Sequence, residues 1–291
     1  MAGDKERQRR LARERYLQQQ ALNRARRERR RKQGIIGLSV LAACGLIAGL
    51  VLAFLPSTPK PKVSAHASSS PKATATPSAS TAATVKEPAT HCTYTAAKPV
   101  AKTVSFPSAT PDYTDSYTAT LHTNLGSISF DLLNSKATCT VNSFVHLAEA
   151  GYFNNTQCHR LVTSGIYVLQ CGDPYATATT KLTCSTTTDV GTGTPGYNFA
   201  SENLTDAKYT AGTVAMANDG TATSNGSQFF IVYKSIPSGG LAASYTPFAT
   251  VSSGLNIVQN VAKEGTTCQE SAGGGPPKEK VIIDSVTIQK T

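Results

Sequence analysis

Residues 35–55, IIGLSVLAACGLIAGLVLAFL, contain neither a charge nor a proline. As one helix at 1.5 Å per residue the run is roughly 31 Å long, the thickness of a bilayer's hydrocarbon core. A buried core helix of that length would carry a polar face, and this run has none. The predicted element is therefore a transmembrane helix, and it divides the rest of the chain. The basic residues before it end in Arg29, Arg30, Arg31 and Lys32 and stand on one flank only. The positive-inside rule then puts residues 1–34 in the cytoplasm and everything after Pro56 outside. A cleaved secretory leader is the competing reading, but its charged region would run to 34 residues and its apolar run exceeds the usual length. An uncleaved, single-pass signal anchor in the cell membrane fits better.

Charge follows the same division. Residues 1–33 carry 13 basic and 4 acidic residues, 34–112 carry 6 and 2, and 113–291 carry 9 and 12. The high isoelectric point belongs to the segments before the folded part, so no nucleic-acid partner is expected. The Arg-rich tail reads chiefly as a topology determinant, with anionic lipid or RNA as the alternative ligand. Gly45 and Gly49 make one GxxxG step in the span, weak evidence for a dimer, and the oligomeric state stays open. Pro, Ser, Thr and Ala supply 27 of the 35 residues from 56 to 90, with no aromatic residue. Such a stretch cannot bury enough apolar surface to fold, so 56–112 is assigned as an extracytoplasmic linker and 113–291 as the folded domain.

Of seven cysteines, Cys44 lies in the span, while Cys92, Cys139, Cys158, Cys171, Cys184 and Cys268 fall on the outer side. An even number in an oxidising compartment favours disulfides. Six cysteines allow fifteen pairings, and the count does not choose among them. Zinc would need ligand pairs at CxxC or similar spacing, which are missing, so no metal is expected.

From about Tyr117 the chain reads as strands. Tyr117–Leu121 and Ser127–Leu133 alternate in polarity around Asn124-Leu125-Gly126, the pattern of a hairpin. Thr140–Ala150 places Val141, Phe144, Val145 and Ala148 at helical spacing, with Thr140 as N-cap and Gly151 as stop. Short strands follow at 158–162, 167–170, 213–217, 229–233, 248–251 and 281–289, with a second helix near 254–262. The Thr- and Gly-rich stretch 173–197 reads as a surface loop. Many short strands with two helices suggest a mainly β domain, a closed antiparallel barrel capped by helices.

Two segments resemble the cyclophilins. Cys158-His-Arg-Leu-Val-Thr-Ser-Gly-Ile-Tyr-Val-Leu-Gln-Cys-Gly-Asp173 is similar to that family's FHR…FxxQGGD strand pair. Met216-Ala-Asn-Asp-Gly-Thr-Ala-Thr-Ser-Asn-Gly-Ser-Gln-Phe-Phe-Ile231 is similar to its MANxGxxTNGSQFFI run. Thr140–Phe144, Tyr245–Phe248 and Gly254–Val258 add shorter matches in the right order, so the resemblance spans roughly residues 115–291. It implies an eight-stranded antiparallel β-barrel closed by two helices, a peptidyl-prolyl cis-trans isomerase activity, proline-containing polypeptides outside the cytoplasm as partners, and no cofactor. Carried over by position, it implies Arg160, Gln170 and Asn218 as catalytic residues. It further implies Tyr167, Val168, Ala217, Gln228, Phe230, Leu241 and Tyr245 as substrate-binding residues, Tyr167 and Val168 standing where the family usually has Phe and Met. Under the resemblance the strands carrying Cys158 and Cys171 are antiparallel neighbours, which admits a cross-strand disulfide. Cys92–Cys139 and Cys184–Cys268 are then taken as the other two pairs, one assignment among those the count leaves open.

The residue types suit the reaction. An X-Pro bond prefers trans by only about 0.5–1 kcal/mol, yet its barrier of about 18–20 kcal/mol comes from amide resonance. No nucleophile is needed. A donor that stabilises the pyramidal imide nitrogen, and a site that grips the twisted form best, lower that barrier. A guanidinium is a permanent, rigid donor, which suits Arg160. An apolar pocket holds the ring, with Gln170 and Asn218 fixing flanking carbonyls. A gain of about 10⁵ in rate requires roughly 7 kcal/mol. His159 is read as structural, since no proton is transferred. The chain departs from the family pattern in several places: the segment 163–166 is two residues longer, Tyr167 adds a hydroxyl to the pocket, Tyr245 replaces a histidine, the stretch 173–197 is longer and carries Cys184, and the chain has no tryptophan, Gly240 standing near the family's groove Trp. Weak cyclosporin binding is the expected consequence. The alternative function is a cyclophilin-like module that binds proline peptides or acts as a chaperone without efficient turnover.

Overall fold

The computed structural model describes residues 88–184, 189–270 and 273–291. The expected tail, the 35–55 span and the linker up to residue 87 lie outside the described residues. Among the described residues no helix is long and apolar enough to cross a membrane.

Polarity alternation builds the first hairpin as expected. β2 (Tyr117–Thr123) and β3 (Gly126–Leu132) pair antiparallel with Thr123 opposite Gly126. Ala119 and Leu121 from one strand and Ile128, Phe130 and Leu132 from the other point into the core. The other strands are β4 (Thr156–Gln157), β5 (Arg160–Val162), β6 (Val168–Cys171), β8 (Thr213–Met216), β9 (Phe229–Val232), β10 (Pro247–Ser253) and β11 (Ile282–Lys290). They form one curled antiparallel sheet in the order β4-β11-β2-β3-β10-β8-β9-β6-β5. The expectation was a closed barrel of eight strands, whereas nine strands form the sheet. The difference arises at Cys158 and His159, where the segment 156–162 changes partner: Cys158 N–H donates to Val281 O at 2.9 Å and His159 N–H to Gln170 O at 3.0 Å.

Helix α1 (Thr138–Glu149) packs Val141, Phe144, Leu147 and Ala148 onto the sheet. Phe144 lies against Phe153, Phe229 and Phe248 at ring distances of 5.2, 5.6 and 5.1 Å, the aromatic centre of the core. Thr140 is not its N-cap. The N-cap lies three residues earlier, at Ala137, which makes no side-chain cap, and Glu202 from a distant loop caps the first turn instead. Its carboxylate accepts from Cys139 N–H at 3.1 Å and from Thr140 N–H and Oγ1 at 2.7 Å each. Helix α2 (Leu255–Glu264) runs from left-handed Gly254 to Gly265, both at positive φ, and buries Val258 and Val261.

Residues 88–112, which composition assigns to the linker, pack on this domain. A disulfide and a few apolar contacts hold them there. Cys92 is buried and disulfide-bonded to Cys139 at the start of α1. Beside it Tyr94 donates its hydroxyl to Cys139 O at 2.8 Å, accepts from Asn142 Nδ2 at 2.8 Å, and sets its ring edge-on to Tyr197. β1 (Thr95–Ala96) then pairs with β7 (Tyr197–Asn198). The structure also contains the Cys158–Cys171 and Cys184–Cys268 disulfides, so all three expected pairs are present.

Candidate active site

The strand period sorts the residues of β6, β8 and β9 onto two faces. Leu169, Cys171, Val214, Met216, Phe229 and Ile231 face the main core. Val168, Ala215, Phe230 and Val232 face outward and form a second apolar cluster with Val162 and Tyr209. Register aligns the outward residues into rows. Arg160 on β5 stands opposite Gln170 on β6, Gln170 opposite Phe230 on β9, and Phe230 opposite Ala215 on β8. Val162, Val168 and Val232 make the adjacent row. A slip of one residue in any strand would turn its member of the row into the core.

Above these rows lies a cleft of about 170 Å³. Arg160 and Gln170 form its polar side, and Val168, Ala217, Phe230 and Leu241 its apolar side, with Ile166, Asn218 and Tyr245 completing the lining. Phe230 meets Tyr245 edge-on at 5.6 Å. Behind them Tyr209, buried and missed by the sequence reading, donates its hydroxyl to Tyr245 O at 2.9 Å and Ala242 O at 3.2 Å, and accepts from Tyr245 N–H at 3.1 Å. Nothing in the local pattern around Tyr209 announces this; the contacts join a loop to one 36 residues later.

Eight of the ten expected site residues line the cleft; Tyr167 and Gln228 do not. Tyr167 packs toward the main cluster, its ring edge-on to Tyr233 at 6.1 Å and under the Lys234 ammonium at 4.5 Å. Ile166 takes its place. Ile166 lies in the bend ahead of β6 and packs with Val168 on the outer cluster, whereas Tyr167 packs on the main one. Gln228 acts behind the wall. Its Oε1 accepts from Gln170 Nε2 at 3.0 Å, and its Nε2 donates to Gly191 O and Gly193 O at 3.2 and 3.1 Å. Asn218 lines the cleft, but its amide ties loops together: Nδ2 donates to Ser244 O at 2.8 Å, and Oδ1 accepts from Gly220 N–H at 3.0 Å.

Arg160 is held on several sides. Its Nη1 donates to Gln170 Oε1 at 3.3 Å, and Nε and Nη2 donate to Gly273 O at 3.0 and 2.8 Å. Glu270 Oε2 lies 3.7 Å from Nε. Burial raises the Glu270 carboxyl above its ordinary value, and the guanidinium partly offsets that rise. His159 next door is fully buried, close to Gln228 and Arg160. Burial, then the nearby Arg160 charge, push it down to about 4, so the ring is neutral at pH 7. Asp173 at the end of β6 is likewise buried and raised by desolvation, though Tyr175 and Gly191 donate backbone N–H groups to it. Among the described residues no group of three or more His, Cys, Asp and Glu is arranged to hold a metal.

The domain is a curled antiparallel sheet with two helices that carries a guanidinium beside an apolar cleft on its outer face. Residues 118–288 match the model of the family described as Cyclophilin type peptidyl-prolyl cis-trans isomerase/CLD, and the chain belongs to that family. Over 217 residues it is 41% identical to a probable peptidyl-prolyl cis-trans isomerase B of Mycobacterium leprae, covering 68% of this chain and 66% of that one. Over 183 residues it is 42% identical to a protein of the same name from Mycobacterium tuberculosis, covering 57% and 52%. The chain thus spans between about half and two thirds of the length of these relatives. A cyclophilin type peptidyl-prolyl cis-trans isomerase of Cryptosporidium parvum, solved in the presence of the dipeptide Ala-Pro, aligns at 27% identity with a TM-score of 0.47, over 60% of this chain and 99% of that one.

Proposed function

We propose that this protein is a peptidyl-prolyl cis-trans isomerase. The observation that carries the reading is the row Arg160–Gln170–Phe230–Ala215 beneath the cleft. In this reading the prolyl ring enters against Phe230, Val168, Ile166 and Leu241. The Arg160 guanidinium donates toward the imide nitrogen as the bond twists, and so favours the pyramidal form over either planar one. Gln170, steadied by Gln228, holds both the arginine and a substrate carbonyl. β4 and β5 count here as one interrupted strand that closes the curled sheet into an eight-stranded barrel, giving the cleft a stiff wall. The site faces proline-containing polypeptides outside the cytoplasm. Residues 35–55 anchor it to the membrane, with residues 1–34 inside and the isomerase domain outside.

The test is isomerisation of an Ala-Pro-Phe peptide by the full chain in detergent, beside Arg160→Ala. Turnover that falls about 10²-fold or more in the variant is the expected result, the usual cost of removing a donor aimed at the transition state. A folded wild type that binds the peptide but does not speed its isomerisation would leave only the peptide-binding module.

A further inference from the structure

Gly273, Gly274 and Gly275 form a run that the reaction as described does not use. Their backbone lies against the strand that carries the arginine. Leu161, the residue after Arg160, donates its N–H to Gly275 O at 2.7 Å and accepts from Gly275 N–H at 2.9 Å. A Cβ at Gly274 would stand 2.4 Å from Leu161 O, and one at Gly275 would stand 2.0 Å from Cys268 O. Gly274 also has a φ of 75°. Only glycine permits this approach. It brings Gly273 O within reach of the guanidinium edge formed by Nε and Nη2. Glu270 belongs to the same turn, its N–H donating to Gly274 O at 2.7 Å and its carbonyl accepting from Gly273 N–H at 3.0 Å. The Glu270 carboxylate adds the 3.7 Å ion pair with Nε. The turn is fastened from the other side by the Cys184–Cys268 disulfide, and Cys184 Sγ lies 3.1 Å from where a Gly275 Cβ would be.

We infer that this glycine turn, stapled by Cys184–Cys268, is the device that orients Arg160, and that Glu270 is a positioning residue for it. An arginine side chain is long and has several rotatable bonds. Two donors of one guanidinium edge on a single carbonyl fix the plane of the group, and the ion pair keeps it from turning over. The opposite end, Nη1, is thereby aimed at Gln170 and the cleft. Glu270 touches no reacting atom and acts only through the arginine.

The inference rests on the isomerase reading, and the test separates the two. In the full chain, Glu270→Ala and the double variant Cys184→Ser/Cys268→Ser should each lower kcat roughly tenfold, the scale of a modest misplacement of a reacting group, while KM stays within about twofold. Glu270→Gln, which keeps the shape, should recover part of the loss. Adding Glu270→Ala to Arg160→Ala should cost nothing more, since the partner through which it acts is already gone. A second readout is free of turnover. The Arg160 Nε–H proton, assigned by its disappearance in Arg160→Ala, should exchange slowly with water in the wild type and fast in Glu270→Ala and the cysteine double variant. Wild-type kcat and an unchanged Nε–H exchange rate in both variants would overturn the inference. So would an equal loss from Glu270→Ala with and without Arg160. A wild type that shows no turnover yet shows the exchange difference sinks the isomerase reading and keeps the positioning.

Discussion

At the scale of the residue, one side chain's direction decides what the cleft can hold. Tyr167 and Ile166 are neighbours, but the tyrosine lies against Tyr233 and the isoleucine lines the cleft. Ile166→Ala should therefore raise KM for a proline peptide by roughly tenfold, the loss of about 1–2 kcal/mol of apolar contact. Tyr167→Phe should leave the kinetics unchanged, and the reverse pattern in a steady-state comparison would show that the tyrosine, not the isoleucine, meets the substrate. His159 carries a different consequence. A buried imidazole held near 4 is destabilising to protonate. Below the ordinary histidine value of about 6.5 the unfolded chain takes up a proton that the folded chain refuses. Stability tied to this ring is thus present above about 6.5 and lost as pH falls toward 4, by on the order of 3 kcal/mol. Asp173 works in the opposite sense, since its raised value favours the folded state as the carboxyl becomes protonated. The ring's share is isolated by the difference between wild type and His159→Gln in denaturant unfolding from pH 7 to pH 4. Parallel pH profiles would rule out His159 as the cause.

At the scale of the element, the chain solves helix α1's start with a remote carboxylate. No acidic residue occupies its first turn and Ala137 offers no side-chain cap. Glu202 supplies three hydrogen bonds and a negative charge to the positive end of the helix. Glu202→Ala should cost about 1–2 kcal/mol, at the upper end of cap removals because the bonds are charge-assisted. Urea unfolding would show this as a lower midpoint with an unchanged slope. The strands show the complementary lesson. Both the core of Phe130, Phe229 and Phe248 and the cleft of Phe230 and Val168 come from one alternating pattern. The sequence marks strand and period well. It does not say which face of β9 is the inside, since all four residues of Phe229–Val232 are buried and apolar.

At the scale of the whole molecule, three disulfides hold three kinds of junction. Cys92–Cys139 fastens the segment leading into the domain, Cys158–Cys171 joins the segments next to the arginine and glutamine, and Cys184–Cys268 fastens the turn behind Arg160. Three cross-links in one domain suit an oxidising compartment. The anchor proposal makes its own prediction. The full chain should sediment with membranes after carbonate washing, and protease added to intact cells freed of their outer wall should remove the domain while leaving the tail. A chain found in the soluble fraction, or a domain protected until lysis, would reverse the topology.

What the sequence determined by itself is what short-range physics controls. The alternation of Tyr117–Leu132 made a hairpin, the helical spacing of Val141, Phe144 and Ala148 made α1, and the two long motifs put Arg160, Gln170, Ala217 and Phe230 together. Each depends on residues a few positions apart or on a family pattern already written in order. Tertiary structure alone decided the rest: Glu202 as the cap, Tyr209 behind the cleft, Gln228 as support for Gln170, and Gly273 with Glu270 on the arginine. These partners lie 62, 36, 58 and 113 residues apart along the chain for the four hydrogen-bonded pairs. No local propensity encodes such distances. They are set by which backbone can approach which, and here a run of glycines without Cβ atoms lets a loop come close enough to grip the guanidinium.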